Sequence, residues 1–252
     1  MDRATQSPVM GPMKITSDAV RLMRNRRGLF VITHADGLES HAEEFFEPPD
    51  RPAPAANQYR LAIEDPQRRY LPRLLMVRLP RDPDPDNVAN PDSLFTPQDV
   101  AMYPASTASL AHNWSSVRVA VSQGPDARTA PPLRGVLIRI IDIENEAVLA
   151  SGISDLRGEA LVVVPGVPVT KFADEEEEGP PEVVPPGGGH EDEPAVLVHA
   201  LAVRLELSFA AGGEWPVNPD LLERNHESNR RVSMGLELVT GRMERLAINL
   251  TS

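Results

Sequence analysis

Two short apolar runs joined by a five-residue polar turn limit the folds open to this chain more than any other feature. Residues 147–166 read AVLASGISDLRGEALVVVPG. A β-prone run over 147–153 leads into Ser154-Asp155-Leu156-Arg157-Gly158, and a second run over 159–164 ends at Pro165-Gly166. This is the pattern of a β-hairpin. The Asp155 carboxylate can bond backbone N–H groups further along the turn, and Gly158 can take positive φ at no steric cost. Asp155 and Gly158 are therefore structural turn residues, and no catalytic group is needed to explain them.

The rest of the composition agrees with a chain of short strands. Only 4% of the 252 residues are aromatic against 41% hydrophobic overall, so the core must be built from Val, Leu, Ile and Ala. Proline occurs 26 times, about twice the usual ~5% share, which disfavours long helices. There is no cysteine, which excludes disulfides, thiolate metal sites and a cysteine nucleophile. The formal charge of −12 is mostly local: nine acidic residues and no Lys or Arg lie between 174 and 193, and setting those nine aside leaves −3. A body so nearly balanced gives no electrostatic reason to expect nucleic acid or an anionic membrane as partner. No run approaches the ~18 apolar residues of a membrane span, and the first residues lack the pattern of a secretory signal. The expected location is the cytoplasm, or a particle assembled there.

Taken in order, residues 1–14 read as a flexible arm. An N-terminal β domain follows over 15–81. Its strands lie near 19–23 and 29–32 around Asn25-Arg26-Arg27-Gly28, then at 59–64, where Tyr59, Leu61 and Ile63 alternate with polar neighbours, and at 71–79. Residues 34–47 suit one helical turn before Pro48-Pro49. The alternating Asp82-Pro83-Asp84-Pro85-Asp86 opens a Pro-rich linker over 82–112. Residues 113–252 then read as a β-sandwich with strands at 116–121, 135–142, 147–153, 159–164 and 195–209. In the last of these, Leu197, His199, Leu201, Val203, Leu205, Leu207 and Phe209 share a buried face, and Arg204, Glu206 and Ser208 are expected in solvent. Asn218-Pro219-Asp220 is an N-cap with proline at the first helical position, so a short helix follows. Strands at 232–239 and 245–250 are expected to close the chain as a hairpin around Thr240-Gly241-Arg242. The insertion 173–194, with acidic runs, proline pairs and Gly187-Gly188-Gly189, buries nothing and should be a disordered surface loop.

None of the chemistry-bearing residues forms a specific motif. The six histidines, His34, His41, His112, His190, His199 and His226, lack HExxH spacing, and no G-x-S-x-G elbow occurs. His190-Glu191-Asp192-Glu193 offers oxygens to a divalent cation but follows three glycines, the opposite of a rigid cage. The glycine triplet leads into acid rather than Lys-Ser/Thr, so it is no phosphate loop. Trp114 and Trp215 are the only large stacking faces for a sugar, and each flanks a strand where core packing is the ordinary use. Arg24, Arg26 and Arg27 fit a solvated hairpin tip, a phosphate contact, or a tip facing an acidic neighbouring subunit. The expected catalytic, cofactor-binding and metal residues are none.

Two resemblances bear on function. Arg134-Gly135-Val136 with Ile138, Gly152-Ile153-Ser154-Asp155 with Gly158, and Leu161-Val162-Val163-Val164-Pro165 resemble the carboxypeptidase regulatory-like, transthyretin-type sandwich repeat. Across 25–168, Gly28-Leu29-Phe30-Val31, the segment 59–72 (YRLAIEDPQRRYLP), the strand end 77–80 and Leu94-Phe95 are similar to carboxypeptidase-regulatory-like proteins found with extracellular contractile injection systems. The expected fold class is all-β: a small N-terminal antiparallel β domain followed by a transthyretin-like/Ig-like β-sandwich. The resemblance implies a non-enzymatic structural or adaptor component of a phage tail-like particle, with a cap adaptor between tube or sheath and terminator preferred. Its partners would be other subunits of the particle, with homo-oligomers expected and no cofactor. A carbohydrate- or protein-binding β-sandwich module is the alternative, and a hydrolase with acids or histidines on loops is the third reading.

Overall fold

The alternation at Tyr59, Leu61 and Ile63 sets the N-terminal sheet of the computed structural model, which describes residues 1–39, 53–111, 113–167, 170–171, 197–198 and 200–251. The helical turn expected within 34–47 lies largely outside them, as does the acidic insertion 173–194.

Strands β1 (Lys14–Thr16), β4 (Asn57–Glu64) and β5 (Arg73–Leu79) form an antiparallel sheet in the order β1-β4-β5. The three apolar residues of β4 point inward with Leu75, Val77 and Leu79 of β5. Strands β2 (Val20–Arg24) and β3 (Phe30–Ala35) form a separate two-stranded ribbon. Its turn is held by Asn25 Oδ1, which accepts from the N–H groups of Arg27 and Leu29 at 2.9 Å each. At the ribbon's base Val20 and Ala35 join the same core, and the Tyr59 hydroxyl donates to the Asp36 carbonyl at 2.6 Å.

The larger unit is a β-sandwich. One sheet runs β13 (Arg230–Val239), β12 (Ala200–Ser208), β7 (Leu137–Asp142), β8 (Val148–Ile153). The facing sheet runs β14 (Met243–Leu250), β6 (Ser115–Gln123), β9 (Glu159–Val164). A short pair, β10 (Thr170–Lys171) and β11 (Leu197–Val198), stands apart. Val117, Val119 and Val121 of β6 and Val162 of β9 meet Ile138, Ile140, Val203, Leu205 and Leu207 across the interior, all fully or almost fully buried. The core is aliphatic, as the scarcity of aromatics requires.

Three expectations about pairing are corrected. Residues 147–166 are not a hairpin: β8 pairs with β7, and β9 pairs with β6 in the other sheet. The cause is capture of each end of the turn by a different sheet. Ser154 exchanges backbone bonds with the β7 lead-in at Gly135 and Val136, whereas the Gly158 carbonyl accepts from the Val121 N–H of β6 at 2.8 Å. The turn thus arches between layers. Residues 232–250 are likewise no hairpin, since β13 pairs with β12 while β14 lies parallel to β6. The corner is taken by the start of β6: the Ser115 hydroxyl donates to the Val239 carbonyl and the Ser116 N–H to the Arg242 carbonyl. Finally, the strand expected over 195–209 is β11 and β12 with residue 199 outside the described set. Glu206 and Ser208, expected in solvent, are each 1% exposed. They lie beneath helices α1 (Pro219–Arg224) and α2 (His226–Asn229), where the Ser208 hydroxyl donates to the His226 carbonyl.

The segment expected to be a flexible arm is also tied down. The Met1 ammonium donates to the Val100 carbonyl at 2.9 Å, the Arg3 N–H donates to the Met102 carbonyl, and the Met102 N–H donates to the Met1 carbonyl. Lys14 already belongs to β1. Within the Pro-rich linker, Met102 and Tyr103 are buried, and Leu71 donates its N–H to the Tyr103 carbonyl. Leu71, Tyr103 and Ala105 form a cluster with Leu137, Ile153 and Val217 that packs the N-terminal sheet against one end of the sandwich. The linker is therefore a strap. No helix among the described residues is long and apolar enough to cross a membrane.

Candidate functional site

The densest polar cluster lies where the N-terminal segment, the sandwich and α1 meet. Glu206 on β12 is contacted by Arg204 (3.1 Å), Arg230 (3.0 Å) and Arg139 (4.0 Å). Glu223 on α1 faces Arg139 and Arg3, each at 3.6 Å, and accepts from the Ser151 hydroxyl at 2.8 Å. Burial first, and then the Glu223 charge, push the Tyr103 phenol up to about 12. Arg73, 2% exposed, donates to the Ala101 carbonyl and to Asp220. Burying this much charge is tolerable only when each group is paired. Each carboxylate of the cluster faces an arginine, and Glu223, which also takes the Ser151 hydroxyl, is held by Arg3 and Arg139. The cluster holds three segments together.

The Asp155–Gly158 turn is equally committed. Asp155 Oδ1 accepts from the N–H groups of Arg157 (2.8 Å) and Glu159 (3.1 Å), and Oδ2 accepts from the Ser106 hydroxyl (2.9 Å). Burial works to raise the Asp155 pKa, but these donors together hold the carboxyl below its ordinary value. Gly158 has φ +73°, and a Cβ there would stand 2.3 Å from the Val121 carbonyl oxygen. Glycine is needed for both reasons.

Cavities are small. A cleft of about 90 Å³ is bounded by Asp2, Tyr70, Trp114 and Leu161, and an open depression of about 270 Å³ by Arg3, Gln6 and Leu149. Drug-sized ligands use roughly 300–1,000 Å³. Trp114 thus lines a narrow cleft, and Trp215 packs against the cluster of Leu71 and Val217. Neither forms an open stacking platform.

The described histidines have local partners. The His226 ring donates from Nδ1 to the Glu223 carbonyl at 2.8 Å. His34 lies 3.4 Å from Asp36, and with Glu39 they bring three ligand atoms within 4.8 Å of one another. The sequence reading missed this grouping because it placed His34 in a helical turn, whereas His34 lies in β3, which ends at Ala35, and Gly37 turns the chain back. Asp36 and Glu39 are exposed. His41, His112, His190 and His199 lie outside the described residues, as do Glu191, Asp192 and Glu193.

Inside the protein, Ser116 Oγ and Arg139 Nε are buried without a hydrogen-bond partner; the other unpaired groups of note are on the surface. The ribbon β2–β3 exposes Met23, Leu29 and Val31 beside Arg21, Arg24, Arg26 and Arg27. None of these four arginines has an ion pair among the described residues; Arg24 lies over the Phe30 ring at 5.6 Å. Strands β13 and β8 end one sheet and β14 and β9 the other, and among the described residues each leaves one backbone edge without a ladder partner. Val232, Leu236, Leu246 and Ile248 along β13 and β14 are only partly covered by the core.

No protein-family model matches this sequence, and comparison with curated proteins returns no match. Among solved structures, the chain is similar to the minor pilin GBS52 of the gram-positive pathogen Streptococcus agalactiae, with 10% identity and a TM-score of 0.31. The similarity covers 79% of this chain and 61% of that one, so the chain spans less than two thirds of the pilin structure. At that level it carries no statement about this protein's role.

Proposed function

We propose that this protein is a non-enzymatic structural or adaptor component of a contractile, phage tail-like particle, placed at the cap between tube or sheath and terminator. The observation that supports an assembly role is two of the sheet-ending strands, β13 with ten residues and β14 with eight, each with an edge that has no ladder partner among the described residues and bordered by partly covered apolar side chains. Long uncovered edges invite pairing with another chain, and proteins that stay alone usually blunt them. Main-chain bonds along such an edge, with apolar side chains docking in alternation, are a recurring mode of subunit contact. The particle itself is proposed from the motif resemblance over 25–168. The polar groups of the seam, already paired with one another, favour scaffold over catalyst.

The test is a pull-down with the tagged full chain from cells producing the particle. Recovery of sheath, tube or terminator subunits, lost on introducing Pro at Leu246 to block the β14 edge, supports the proposal. Recovery of no tail subunit contradicts it.

A further inference from the structure

We propose that the β2–β3 ribbon of one copy is the docking site for the acidic segment 174–193 of a second copy of this chain. The surface is defined by what it lacks. Arg21, Arg24, Arg26 and Arg27 are exposed with no ion pair among the described residues, in a chain whose net charge is −12. Elsewhere Arg60, Arg157, Arg204 and Arg230 each meet a carboxylate, while exposed arginines such as Arg78, Arg128, Arg231 and Arg245 stand singly without an ion pair among the described residues; the ribbon differs in gathering four such cations between positions 21 and 27. The ribbon's cations are left over, and Met23, Leu29 and Val31 among them are left in water.

The occupant follows from complementarity. Segment 174–193 carries nine acidic residues and no Lys or Arg, and it places Val183-Val184 directly after Glu182. Arginines are matched by the carboxylates, and the exposed apolar residues by the valine pair. A second copy suits the geometry. The segment leaves from Lys171 and returns at Leu197, which pair with each other next to the Ala200 end of β12. The N-terminal sheet packs at the other end, where Leu137 and Ile153 meet Leu71 and Tyr103. The stems of the acidic segment at one end and a basic ribbon on the unit packed at the other give a head-to-tail contact between copies, which propagates or closes into a ring. The inference concerns self-association alone and stands apart from the identity of the particle.

The experiment uses the full chain and a fluorescent peptide of residues 172–196. Peptide binding should weaken at least tenfold in the triple variant R24E/R26E/R27E and weaken with added salt. A peptide with its acids replaced by lysine should bind the triple variant and not the parent, which excludes misfolding as the cause. With mixed isotope-labelled copies, a photo-crosslinker at Val31 should join ribbon to segment between heavy and light chains. Equal peptide affinity in parent and triple variant, crosslinks confined to single chains, or capture of RNA or anionic vesicles by the ribbon in place of the peptide each overturns the proposal.

Discussion

Gly158 and Gly166 make a controlled comparison at the level of single residues. Both have positive φ, +73° and +77°, but a Cβ at Gly158 collides with the Val121 backbone while one at Gly166 meets nothing within 4 Å. Gly166→Ala should therefore cost only the left-handed conformation, about 1 kcal/mol. Gly158→Ala adds a clash that displaces β6 and should cost roughly 3 kcal/mol, a difference read directly from urea midpoints. Asp155 makes a prediction about acid. Its folded pKa is lowered, so its contribution is complete above the unfolded value near ~3.9 and disappears as pH falls through the folded one. The stability gap between parent and Asp155→Ala should be constant at neutral pH and shrink below pH ~4; a gap independent of pH contradicts this account of the turn. Glu206→Gln strips the charge that faces three arginines. It should destabilise by roughly 2 kcal/mol, less than for a sealed pair, because Arg204 and Arg230 reach water.

Strands and turns were readable in the sequence; their partners were not. Period-two patterning at Tyr59, Leu61 and Ile63, and the Asn218-Pro219 helix start, are local signals and survive in the structure. The turns at 154–158 and 240–242 are local too, but whether a turn folds back into one sheet or crosses to the next is decided by long-range bonds. Ser154 is held by the β7 lead-in and Gly158 by β6, and nothing inside 147–166 reveals that. The burial of Glu206 escaped for the same reason: its cover comes from α1 and α2 and its counter-charges from Arg139 and Arg230, distant in sequence. The seam was legible only as scattered charges. Packing at the element scale predicts that Leu205→Ala, in the fully buried centre of β12, costs about 3 kcal/mol, whereas Leu246→Ala on the free β14 edge costs well under half as much. Thermal unfolding of the two variants measures this; equal losses would mean that β14 is covered.

On the scale of the whole molecule, the strap 101–106 and the seam make the N-terminal sheet and the sandwich lean on one another. Arg73, Tyr103 and Glu223 spend their polar capacity on that contact. The groups left for partners are on strand edges and on the β2–β3 ribbon. This division of labour between an internally paired seam and an unpaired surface supports the proposal of a structural role. The most direct measurement is quantitative mass spectrometry of purified contractile particles from cells that make this chain. A structural component must appear in a fixed ratio to the sheath or tube subunit across independent preparations and salt washes. A chain absent from the particles, or present in amounts that vary and wash away, contradicts the proposal.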